Sequence, residues 1–86
     1  MSNLQKEQTR GQRAKDILED ELFKESIQTL KDAYSDAIFQ TGPNDELART
    51  KIYLAFQILG NFENHFRSVL ETGILAAKQL QDLRKK

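Results

Sequence analysis

Eighty-six residues make one domain near the lower limit of what folds alone, and with no cysteine there is no disulfide framework or thiolate metal site to staple it. Thirteen bases balance thirteen acids, and only four glycines and one proline interrupt the chain, which is the profile of long helices rather than strands. No apolar run approaches the roughly 18 residues of a membrane span, and the polar start MSNLQKEQTRGQRAK lacks a secretory signal's apolar core, so the expected location is cytoplasmic.

The zero total hides a pattern. Residues 1–15 hold Lys6, Arg10, Arg13 and Lys15 against Glu7, a sum of +3. Residues 16–46 hold nine acids against Lys24 and Lys31, a sum of −7. Residues 47–86 hold seven bases against three acids, a sum of +4. The chain is basic, then acidic, then basic.

In the first segment, residues 1–19, Ala14, Ile17 and Leu18 form a short apolar patch. At about 100° per residue this patch lies opposite the stripe that follows, so one straight helix cannot bury both. A break is therefore expected at EDEL, with Asp20 capping the second helix. Over residues 21–40, Phe23, Ile27, Leu30, Tyr34 and Ala37 recur at helical spacing, with Lys31, Asp32, Ser35 and Asp36 on the other side. QTGPND then marks a hard turn: Gly42 suits the position past a helix end, Pro43 cannot continue that helix, and Asn44 or Asp45 can cap the next.

Over residues 45–84, Ala48, Ile52, Ala55, Leu59, Phe62, Phe66, Val69, Gly73, Ala76, Leu80 and Leu83 alternate in steps of four and three. That repeat predicts a coiled-coil-like seam, with at most a local kink at Gly60 and Gly73. The fold class is thus all-α: an antiparallel hairpin with a short N-terminal helix and a long C-terminal one. At about 1.5 Å per residue the middle helix is too short to cover the long one. The first segment, or another copy of the chain, must pair with the half from Phe62 onward.

Within KIYLAFQILGNF, Tyr53, Leu54, Phe56 and Ile58 fall off the seam, on flanks or back. Contiguous exposed apolar area marks an interface. Together with Ile74 and Leu75, and with Phe62, Phe66 and Val69 on the seam, these residues predict self-association. The alternative is a groove for an unrelated protein, as in a small adaptor, inhibitor or assembly factor.

Little in the chain points to catalysis. His65 is the single histidine and has no acid three or four residues before it. Glu21/Glu25 and Asp32/Asp36 are spaced to share a cation, but nothing nearby in the sequence completes a coordination sphere. No nucleophile motif or phosphate-cradling loop is present, so the reading is non-enzymatic, with no catalytic residue, cofactor or metal. The basic ends are the remaining feature. Lys6, Arg10, Arg13 and Lys15, with Lys78, Arg84, Lys85 and Lys86, would meet at one pole of a hairpin and could contact DNA phosphates.

The segments RAKDIL, LFKESI and VLETGILAAKQL, in the order and spacing found between Arg13 and Leu80, resemble small helical proteins of tailed bacteriophages. In such relatives an Asn-Pro commonly stands in place of Asp20-Glu21, and a Trp near Phe39. The best-defined role that the resemblance implies is that of the small terminase subunit. That protein assembles through a helical hairpin, often as a ring, recognises viral DNA and regulates the large terminase subunit during packaging. The resemblance therefore implies three partners: further copies of itself, DNA, and the large terminase. Small terminases usually also carry an N-terminal helix-turn-helix. Residues 1–20 are too few for one, so DNA contact would rest on the basic residues, without much base readout.

Overall fold

The computed structural model describes residues 3–85 and contains three helices: α1 (Asn3–Glu19), α2 (Glu21–Phe39) and α3 (Glu46–Arg84). Among the described residues there is no strand. The long helix α3 is one arm of an antiparallel hairpin, and α1 and α2 laid end to end form the other. α1 runs close along the C-terminal half of α3, and α2 lies more loosely along its N-terminal half.

Asp20 divides the shorter arm as expected. Its backbone is extended (φ −65°, ψ 129°), and its carboxylate accepts from the Phe23 N–H at 2.9 Å, capping α2. Three phenylalanines fill the space opposite this joint. The Phe66 ring meets Phe23 and Phe62 edge to face, with centroids 5.5 Å and 5.2 Å apart. Such pairs contribute about 0.5–1.5 kcal/mol each beyond the area they bury.

The turn closes differently from the expectation. Gly42 does not have positive φ, and Asp45 makes no side-chain cap bond. Instead Arg49, one turn into α3, donates from Nη1 to the Gly42 carbonyl at 2.6 Å and to Thr41 Oγ1 at 3.3 Å. Thr41 in turn donates to the Ile38 carbonyl at 2.7 Å. The N–H groups of Gln40 and Thr41 serve the last carbonyls of α2, and the guanidinium ties the turn that follows to α3.

α3 is continuous through both of its glycines. Gly73 and Gly11 sit where α1 crosses α3, and a Cβ on either would lie 2.6 Å from the other's Cα. Beside them Ala14 and Ala76 are the most buried side chains of the protein, at 3% and 1% exposure. α1 docks, then, by close backbone approach between small residues and not by interlocking large ones.

The seam holds, with two differences. Leu83 is exposed, and Phe62 is only about half covered. A further row, Arg49, Phe56, Glu63, Leu70 and Ala77, is half-buried beside it, so α3 turns a wider stripe inward than strict 4-3 spacing describes. α2 rotates to match. Ile27 is buried, while Leu30 stays exposed on one flank, and Lys31 and Ser35, expected on the outer side, are half-buried on the other. This rotation brings Lys31 to an ion pair across the arms: Lys31 Nζ reaches Glu63 Oε1 at 3.0 Å, and Arg67 holds Glu63 Oε2 at 3.3 Å.

Candidate self-association and nucleic-acid surfaces

Two helical arms side by side make a flat body measuring 65 × 24 × 17 Å, with two broad sides. Glu63, half-buried on α3, is bridged by Lys31 and Arg67 on one of those sides and makes it charged. Helical register places Leu22, Ser26 and Leu30 of α2, and Ile58 and Phe62 of α3, toward the other. Ile17, Leu22 and Phe23 line one groove there. Large apolar groups remain uncovered on this side: Leu30 is 42% exposed and Ile58 66%.

The proposed interface residues therefore separate. Ile58 and Phe62 share the apolar side, while Leu54 is exposed near the back of α3. Tyr53 lies on the α3 flank that carries Arg67. Ile74 lines a groove with Gly11, Lys15 and Leu18. Leu75 is exposed near the back of α3. Phe56, read from sequence as flank or back, is half-buried in the inward row. Phe66 and Val69 are half-buried as well and line a groove with α1. The sequence reading missed Leu22, Leu30 and Ile17 as members of the apolar side. Only Leu22 sat off the stripe in the sequence; Leu30 and Ile17 belong by spacing to the inward stripe and patch, and the rotation of the short arm leaves them exposed.

The bases separate too. Arg10, Arg13 and Ile17 line a groove with His65, Phe66 and Val69, on the apolar side and toward the α1 start. Lys15 lines a groove on the opposite side, with Gly73 and Ile74. Lys78 and Arg84 lie in the last two turns of α3 and Lys85 caps its end, and Arg84 lines a groove with Gln8 of α1. Lys86 lies outside the described residues. The expected single pole of eight bases is thus a smaller pole plus residues spread along a helix of about 25 Å. Lys6, Arg10 and Arg13, at i, i+4 and i+7, still form one stripe on α1.

His65 is exposed and packs its ring against Phe66, centroids 6.1 Å apart. The acid pairs Glu21/Glu25 and Asp32/Asp36 are exposed, and Asp32 accepts from Gln28 Nε2 at 2.9 Å. Among the described residues no group of three or more His, Asp or Glu side chains is placed to hold a metal ion, and no helix is long and apolar enough to cross a membrane. No family model matches the chain, and no curated protein or solved structure matches it either.

Proposed function

We propose that this protein is a non-enzymatic, self-associating helical subunit whose basic end contacts DNA phosphates, in the manner of a small terminase in bacteriophage DNA packaging. One observation carries the self-association: the chain exposes 6855 Å², against about 5,200 Å² for a compact monomer of its mass. Among the described residues the buried apolar side chains are Ala14, Ile27 and Ala76. A hairpin with so thin a core gains its stability from association.

The DNA contact is supported by charge placement. Lys78, Arg84 and the capping Lys85 lie at the C-terminal end of α3, beside the start of α1 where Lys6 stands. The setting in packaging, and the large terminase as partner, rest on the sequence resemblance. A second reading, an adaptor or inhibitor docking a different protein, draws on the same exposed apolar side.

Binding of duplex DNA, followed as salt is raised, tests the DNA reading. Each phosphate neutralised adds about 0.9 to the slope of log affinity against log salt. Changing Lys78, Arg84 and Lys85 to Ala should lower both affinity and slope, whatever the DNA sequence. Absence of salt-dependent binding by the assembled protein would leave the adaptor reading.

A further inference from the structure

We infer that the apolar broad side is covered by a second copy of the same chain, face to face and antiparallel, so that two hairpins close into a four-helix core. The inference rests on the self-association proposed above and assigns its surface and geometry. The two broad sides are unequal. One carries the Lys31–Glu63–Arg67 bridges; the other presents Ile17, Leu22, Leu30, Ile58 and Phe62. A head-to-tail ring needs two different complementary surfaces, whereas a two-fold pair needs one surface that fits itself. A single apolar side suits the pair.

The area fits as well. A broad side of 65 × 24 Å is large enough for the roughly 800 Å² per partner that a stable interface buries. A copy of the chain is also the one partner always present when it folds, which matters for a hairpin whose described core is Ala14, Ile27 and Ala76.

Charge selects the direction. A parallel pair would lay α1 over the partner's α3, and Arg10 and Arg13 would meet the side that carries Ser68 and Thr72, with no acid there to pair with them. An antiparallel pair, with its two-fold passing between Ile58 and Phe62, brings them instead beside the partner's acidic turn, Asp45 and Glu46. Arg10 and Arg13 then serve pairing, and Lys78, Arg84 and Lys85 remain at the two far ends for phosphate.

The cysteine-free chain allows a direct test. Asn61→Cys, next to the two-fold, should give a covalent dimer with a short bis-maleimide, whereas Tyr53→Cys, on the other flank, should not. Ile58→Glu combined with Leu30→Glu should weaken pairing at least about 100-fold, while Tyr53→Glu leaves the mass unchanged. If the double variant unfolds, the cross-link pattern decides. A dimer formed equally by Tyr53→Cys, or none by Asn61→Cys in a protein that still assembles, overturns the assigned face but not self-association. A folded wild-type monomer overturns both, and loss of DNA binding alone touches neither.

Discussion

At the scale of single residues, the protein uses its glycines in opposite ways, and the difference is measurable. Gly73 and Gly11 let two backbones approach until a Cβ on either would stand 2.6 Å from the other's Cα. Gly60, on the same helix, has nothing within 4 Å of where its Cβ would be. Gly73→Ala should therefore push α1 off α3 and cost about 1–3 kcal/mol. Gly60→Ala should stabilise by about 0.5–1 kcal/mol, because glycine only weakens the helix there. Denaturant unfolding of the two variants should move the midpoint in opposite directions. Equal shifts would mean that the α1–α3 crossing is not tight. The sequence showed Gly73 on the seam but not its partner: Gly11 sits in a polar stretch, and only the fold brings the two together.

At the scale of elements, the helix limits were legible because the signals were local. Asp20 caps α2 through its own carboxylate, and α3 starts within a residue of where the turn chemistry places it. The α1 docking site was legible from length alone, since α2 is too short to cover α3. What sequence could not show were interactions set by rotation of one arm about the other. Lys31 looked solvated because an ion pair to a residue 32 positions away leaves no periodic trace. Arg49 similarly gave no sign that it would close the QTGPND turn. Arg49→Ala removes two hydrogen bonds to the turn and should cost about 1 kcal/mol. It should also speed amide exchange over residues 40–46. Arg49→Lys should restore part of the protection, since both bonds come from the single Nη1 and an ammonium also carries more than one donor. Full protection in Arg49→Ala would show that Thr41 and Pro43 hold the turn without it.

At the scale of the whole molecule, the account turns on shape. The radius of gyration is 18.6 Å, against about 12 Å for a compact domain of this length. An elongated two-arm body cannot bury its large side chains between its own layers, and Leu22, Leu30, Leu54, Ile58 and Phe62 are left in the open. The presence of exposed apolar residues was readable from KIYLAFQILGNF. Which of them share a side was not, because Phe56 and Tyr53, three residues apart, end up half-buried in the inward row and exposed on a flank, respectively. The charges follow the same logic: one basic cluster expected from the sequence becomes a pole and a stripe once α1 has length and a fixed rotation. The measurement that most directly tests the central claim is the mass of the wild-type protein in solution across a wide concentration range, paired with its thermal unfolding midpoint. The account predicts a multiple of the 9.9 kDa chain, with a midpoint that rises with concentration because folding and association are linked. A folded 9.9 kDa monomer whose midpoint ignores concentration would contradict it.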